Sequence, residues 1–267
     1  YEGYCEGGES YDIVGCPNPL YVKDGVALCV TGMGKVNSAM TLQAILMDDR
    51  FDFSNAYIIS TGCAGSAIEY GVMGDVFVIT ATVDFDLGHH ADARDLTTDL
   101  ATTWFHDESY DDASAKLLDQ ELCEKVFNLV KDVQIETTEK TRAFMAATFD
   151  NADWAIRDPK VLRGTTVTAD NYWKGMHDHA NALLMTETYG CPDPYALTEM
   201  EDHAMSVVLD RLGMLDRYII IRDSVNTDVF MNGASPESLW DPNFVDSLAS
   251  ESSVESADIF ATAMKNN

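Results

Sequence analysis

The feature that most constrains this chain is a scheme stated twice in its first third: an apolar, β-branched run that ends in a glycine-rich turn. Val26 to Thr31 leads into Gly32, Met33 and Gly34. A stretch from Val36 through Met47 follows, with apolar side chains at helical spacing. Asn55 to Thr61 repeats the strand and ends in Gly62, Cys63, Ala64 and Gly65, and Gly74 to Val83 supplies a further strand. Strands separated by helices pair in parallel and are covered on both faces. The expectation is an α/β protein, a single domain over 1–267 with a mixed, largely parallel central sheet flanked by helices. At 267 residues and 46% apolar content the chain can bury one large core.

The remaining pattern is less regular. Residues 1–19 are rich in Gly, Glu and Tyr without a period, which predicts an N-terminal arm. The segment from Asp84 to Glu139 carries polar insertions and predicts an amphipathic helix near Ala113 to Val130, with Leu117, Leu118, Leu122, Val126 and Leu129 on one face. Val161 to Thr168 reads as a strand, Thr198 to Leu212 as a helix with Thr198 as its N-cap, and Tyr218 to Arg222 as another strand. The acidic tail from Pro236 predicts a closing helix at Ala257 to Met264.

Charge and composition remove several classes of partner. With 45 acidic and 17 basic residues the formal charge is −28, which repels phosphate backbones and anionic lipids, so nucleic acid is not an expected partner. No apolar run reaches the ~20 residues that cross a bilayer, so no transmembrane span is expected. The chain opens at Tyr1 without a methionine or a signal-peptide pattern. A processed or trimmed start is expected, and, as a separate expectation, an extracellular, periplasmic or cell-surface location after processing. The six cysteines include no CxxC pair and no grouping with histidine, so no metal site is expected. Cys16 and Cys29 flank a turn-rich stretch as a candidate disulfide, the alternative being six ordinary thiols.

Several positions could carry chemistry. Gly32 and Gly34, between a strand and a helix, would let backbone amides approach an anion or a sugar. They do not complete a dinucleotide or phosphate-loop fingerprint, even with Lys35 beside them. Gly62 to Gly65 is a second such turn, with Cys63 at its centre, and two turns at adjacent strand ends would face one crevice. Glu199, Met200, Glu201 and Asp202 crowd the start of a predicted helix, where the macrodipole favours carboxylates. The apolar run after them would bury that helix and hold Glu201 at the crevice. A carboxylate fixed there can accept two hydrogen bonds from a vicinal diol, as in ribose. Tyr172 and Trp173 offer aromatic surface for a base. Asn226 and Asp228 follow an apolar strand, where an amide could donate to a departing purine or a carboxyl could protonate it.

The segments TGMGKVNSA, STGCAG with GDVFVIT, VTADNYW, TEMEDHA and IIIRDSVN, in this order, resemble the nucleoside phosphorylase and nucleosidase superfamily. FDFSNAYIISTGCAG, VDFDLGHHADARD, TADNYWKG and RDSVNTD bring the chain closer to the purine nucleoside permease branch. The resemblance covers Val26 to Asp228. It implies a nucleoside phosphorylase-like fold and a purine nucleoside ligand, with cleavage of the N-glycosidic bond by phosphorolysis or hydrolysis. It implies no cofactor beyond inorganic phosphate as a possible co-substrate, and a homo-oligomer.

By the same resemblance Met200 and Glu201 hold the ribose hydroxyls, and Tyr172 with the Trp173 backbone lies against the base. Gly32, Gly34, Gly62 and Cys63 line the nucleophile or phosphate loops. Asn226 stands where many relatives carry an aspartate that acts as general acid, so it would stabilise the leaving purine by hydrogen bonding, with Asp228 as the alternative proton donor. Ser60 replaces a common arginine, and Cys63 a phosphate-touching serine. The superfamily's first strand has no equivalent here and is expected to lie upstream of Tyr1. The permease name also implies a second reading, a non-catalytic cell-surface nucleoside-binding protein that assists transport.

Overall fold

β-branched runs build the centre of the molecule, and the last of them closes the sheet on itself. A computed structural model describes residues 6–97, 102–150, 152–230 and 265. The main strands are β4 (Ile58–Ser66), β5 (Val76–Asp84), β8 (Ala115–Leu117), β9 (Val161–Thr168), β10 (Tyr195–Glu199) and β11 (Tyr218–Thr227), while β6 (His89–His90) and β7 (Trp104–Phe105) pair as a separate two-stranded sheet. Their order is β11-β4-β10-β9-β5-β8, and a further pairing of β11 with β5 joins the two sides into a barrel. The ladders β11–β4, β5–β9 and β9–β10 are parallel, whereas β4–β10, β5–β11 and β5–β8 are antiparallel. The sheet is therefore mixed, as expected, with parallel pairing along its longest ladders.

Helices cover this sheet. α1 (Lys35–Leu46) and α5 (Asp202–Arg211) pack against each other and against the strands. The buried face of α1 is formed by Ser38, Thr41, Leu42 and Ile45, and that of α5 includes Met205, Ser206 and Leu209. Small hydroxyl residues at Ser38, Thr41 and Ser206 let backbone elements approach closely, while Leu42, Met205, Leu209, Phe77, Tyr218 and Ile220 share one core cluster. α2 (Gln120–Val130), α3 (Glu139–Thr148) and α4 (Met176–Thr188) complete the flanks.

Several expectations are corrected by the structure. The N-terminal arm is partly ordered: β1 (Glu9–Tyr11), β2 (Leu20–Lys23) and β3 (Val26–Leu28) form a separate antiparallel sheet. Asp24 and Gly25, with φ of 50° and 80°, make the two-residue turn between β2 and β3. The Val26 strand is therefore the second arm of a hairpin and not a member of the main sheet. Ile13 and Leu20 bury against Ile45, with Phe51 and Phe53 packed beside them.

The helix expected at Ala113 to Val130 divides in two. Ala115 to Leu117 adds β8 to the edge of β5, and α2 starts only after Asp119, whose carboxylate accepts the Leu122 amide at 2.8 Å. Leu117 and Leu129 are 52% and 81% exposed, so the core face of α2 is Cys123 with Val126, Phe127 and Val130.

Thr198 is no N-cap. It lies inside β10, and α5 begins four residues later with Glu201 at the cap position. The side chain that satisfies its first amides is Glu199, which accepts from Glu201 N at 2.6 Å and Asp202 N at 2.8 Å. The tail helix expected at Ala257 to Met264 lies outside the described residues.

Cys16 and Cys29 are neighbours but carry free thiols, so the candidate disulfide is not formed. Burial, reinforced by Cys16, pushes the Cys29 thiol up to about 11.

Candidate functional site

Two strand ends and one helix start meet at a cavity of about 1140 Å³. Its wall runs from the turn before α1 across β4 to the ends of β10 and β11, with Tyr172 and Trp173 on the far side. The sequence-predicted residues Gly32, Gly34, Gly62, Cys63, Met200, Glu201 and Asn226 belong to these segments, and all but Gly34 line the cavity itself. Gly34 reaches it through its amide, which donates to Glu201 Oε1 at 3.0 Å.

Gly62 and Cys63 do not form a loop. They continue β4 as a strand, in register with Arg222 and Asp223 of β11. Glycine is needed there because of what the opposite strand carries. A Cβ on Gly62 would stand 2.8 Å from Arg222 Nη1, and one on Gly65 would stand 2.6 Å from Asn226 Oδ1. The two glycines are thus slots for the side chains of Arg222 and Asn226. This explains the STGCAG pattern better than anion binding does.

Arg222 is the organising residue, and sequence reading gave it no role. It follows four residues of an apolar strand and is buried, so its guanidinium requires partners. Nε donates to Asp202 Oδ2 at 2.8 Å, and Nη2 lies 2.8 Å from Asp202 Oδ1, 3.1 Å from Glu201 Oε2 and 3.3 Å from Glu199 Oε2. Nη1 donates to the Cys63 carbonyl at 3.1 Å. Burial opposes its charge, but Asp202 and Glu199 outweigh burial and raise its pKa well above the usual guanidinium value. Ser60 Oγ donates to Asp202 at 2.6 Å and serves this same cluster.

Glu199 and Glu201 divide the work within it. Glu199 is buried, takes hydrogen bonds from the Thr166 and Thr168 hydroxyls, and is pushed up to about 8 by burial and by Asp202. Glu201 keeps 16% of its side chain exposed, toward the cavity. Each of its oxygens already holds one donor, the Gly34 amide or Arg222, and retains capacity for another. A sugar diol matches that remaining capacity.

At the other end of the cavity Asn226 Nδ2 donates to the Tyr172 hydroxyl at 3.1 Å. Tyr172 is 55% exposed and offers a free ring face, whereas the Trp173 ring stacks on Phe85 with centroids 4.9 Å apart. Both aromatics line the cavity, with one face of the Trp173 ring taken by Phe85. Asp228 also belongs to the cavity wall, but its carboxylate is already engaged. It accepts from Ile68 N at 3.1 Å and Tyr195 Oη at 2.8 Å, and sits 2.7 Å from His179 Nδ1. Lys35 is also engaged, at 2.9 Å from Asp84 and 2.8 Å from Asp86.

The family model for purine nucleoside permease (NUP) matches residues 10–262. The chain belongs to the purine nucleoside permease family. Among curated relatives, a Schizosaccharomyces pombe protein described as a "probable purine nucleoside permease" is 27% identical over 74% of this chain and 63% of its own length. The Candida albicans purine nucleoside permease is 24% identical over 72% of this chain and 52% of its own. The chain thus spans about half to two thirds of the length of these relatives.

Solved structures of similar fold include the 5′-methylthioadenosine/S-adenosylhomocysteine nucleosidase of Neisseria meningitidis. It has a TM-score of 0.53 at 18% identity, over 98% of this chain and 91% of that one. The Streptococcus pneumoniae nucleosidase gives 0.54 at 17% identity, over 97% and 90%. These likenesses establish the nucleoside phosphorylase-like fold for this member of the purine nucleoside permease family.

Proposed function

We propose that this permease-family protein binds a purine nucleoside in the cavity and cleaves its N-glycosidic bond. The observation that carries the reading is the placement of Glu201, held between the Gly34 amide and Arg222 with its carboxylate toward the cavity that Asn226 and Tyr172 also line.

In this mechanism Glu201 accepts the 2′- and 3′-hydroxyls of ribose, Met200 packs beside the sugar, and the exposed ring of Tyr172 supports the base. As the C1′–N9 bond lengthens, negative charge moves onto the purine. The Asn226 amide turns from Tyr172 to donate to the ring nitrogen that gains charge, which is electrostatic stabilisation without net proton transfer. A 6-oxopurine, which tolerates that charge best, suits such a donor. Asp228 acts here as a positioning residue: its contacts to Ile68, Tyr195 and His179 fix the end of β11 that carries Asn226.

A second reading has its own support. Asparagine in place of an acid weakens leaving-group activation, and the curated relatives carry the permease name. A nucleoside-binding protein that serves uptake at the cell surface would need the Glu201 and Tyr172 contacts and no cleavage. Among the described residues no helix is long and apolar enough to cross a membrane. Incubation with inosine, guanosine and adenosine, followed by chromatography, separates the two. Free base supports cleavage; tight binding with the nucleoside recovered intact supports carriage.

A further inference from the structure

The start of α1 has the ingredients of an anion seat: a glycine turn, a twelve-residue helix and a lysine at its first position. Its donors are nevertheless taken by the protein's own carboxylates. The Gly34 amide donates to Glu201 at 3.0 Å, and the Lys35 amide to Asp170 Oδ1 at 2.8 Å. The Lys35 ammonium lies 2.9 Å from Asp84, 2.8 Å from Asp86 and 4.0 Å from the other oxygen of Asp170. Asp84 and Asp86 are in turn held, by the Asp86 amide and the Asp170 amide respectively. On the cavity side Arg222 is shared among Glu199, Glu201 and Asp202. Two cations therefore face six carboxylates, and protonation of Glu199 still leaves five.

We infer that this cavity admits uncharged nucleosides and excludes inorganic phosphate and 5′-phosphorylated nucleosides, so that cleavage at this site uses water. The inference rests on the nucleoside reading above and decides which nucleophile and which ligand charge that reading allows. A phosphate at α1 must displace Glu201 or Asp170 from its amide, leaving that carboxylate without its donor. It then meets the field of surplus carboxylates, a repulsion worth on the order of a hundredfold in affinity. Water carries no such penalty, and Nη1 of Arg222, with one N–H on the Cys63 carbonyl, has another for a neutral oxygen. In the step itself a C1′–O bond forms from water as the C1′–N9 bond breaks. The bonding pair leaves on the purine, and one water proton ends on the released base, giving ribose and free purine.

Calorimetric titration of the whole protein with inosine, inosine 5′-monophosphate and inorganic phosphate at constant ionic strength tests this. The expected result is inosine binding unaffected by phosphate, no phosphate heat, and monophosphate binding roughly a hundredfold weaker than inosine. Where base is released in excess phosphate, the sugar product is ribose and not ribose 1-phosphate. In the Asp86→Asn/Asp170→Asn protein, monophosphate binding strengthens about tenfold toward that of inosine. Phosphate binding, monophosphate within tenfold of inosine, or ribose 1-phosphate as product overturns the exclusion while leaving the nucleoside reading intact. Failure of inosine, guanosine and adenosine alike to bind overturns the nucleoside reading itself.

Discussion

Glu201 Oε2 stands 3.1 Å from Arg222 Nη2, while Glu201 Oε1 takes the Gly34 amide at 3.0 Å. One carboxylate thereby ties β11 to the start of α1 and is left with its free lone pairs toward the cavity.

Removing the guanidinium exposes the cost of that arrangement. Arg222→Met leaves Asp202, Glu199 and Glu201 buried or half-buried without their shared cation, which costs about 3–5 kcal/mol. Urea denaturation at neutral pH should show the loss. Adding Asp202→Asn to the same protein should recover part of it, since one of the stranded charges is then gone.

The two glycine slots in β4 act on different things. Gly65→Ala puts a methyl 2.6 Å from Asn226 Oδ1, so it should displace the Asn226 amide and lower base release or nucleoside affinity at least tenfold. Gly62→Ala instead meets Arg222 Nη1 at 2.8 Å and should destabilise by about 1–3 kcal/mol. Thermal melts and nucleoside titrations on both variants distinguish a functional loss from a structural one.

Asn226→Ala should lower the rate of base release by about 10²–10³ if the amide stabilises the leaving purine. Asn226→Asp supplies a proton donor in the same place, so it should retain activity at acidic pH and lose it as the carboxyl ionises. A pH–rate profile for the two variants and the parent protein reads this directly.

Asp223 makes stability depend on pH. It is buried, neither carboxylate oxygen has a hydrogen-bond partner, and burial pushes its pKa from 3.8 to about 6. A raised folded-state pKa means the stability is fully present below the unfolded value and is lost as pH rises through about 6. The loss reaches about 3 kcal/mol at most. The melting temperature should therefore fall between about pH 4.5 and pH 7.5, and Asp223→Asn should remove the part of that fall that ends near pH 6, leaving the part that follows Glu199 toward pH 8.

How much of this was legible in the sequence varies with the reach of the forces involved. Val161–Thr168 and the α1 helix follow from local pattern, because β-branched runs and helical spacing each bury one way. The β2–β3 hairpin is also written locally, in Asp24-Gly25 between apolar runs, where the glycine turn at Gly32 to Gly34 is the stronger signal. Thr198 looks like an N-cap because Glu199 to Asp202 resemble a helix start, whereas Thr198 and Glu199 close a strand only five residues long. The Arg222 cluster was least visible. Its acids sit about twenty residues upstream, at the end of β10 and the start of α5, and its glycine slot lies on β4, so the pairing of β4 with both β10 and β11 is needed to bring them together. A lone arginine after Tyr218 to Ile221 was the available signal, since a charge in a buried strand demands partners.

The central claim, that Glu201 holds the ribose, is tested most directly by a double comparison: inosine against 2′,3′-dideoxyinosine, in the parent protein and in Glu201→Ala, by calorimetric titration. The account predicts that the parent prefers inosine by roughly 10–100-fold, the worth of hydrogen bonds to a charged acceptor, and that Glu201→Ala binds both ligands about equally. Equal binding of the two by the parent protein, or an undiminished preference in Glu201→Ala, would contradict it.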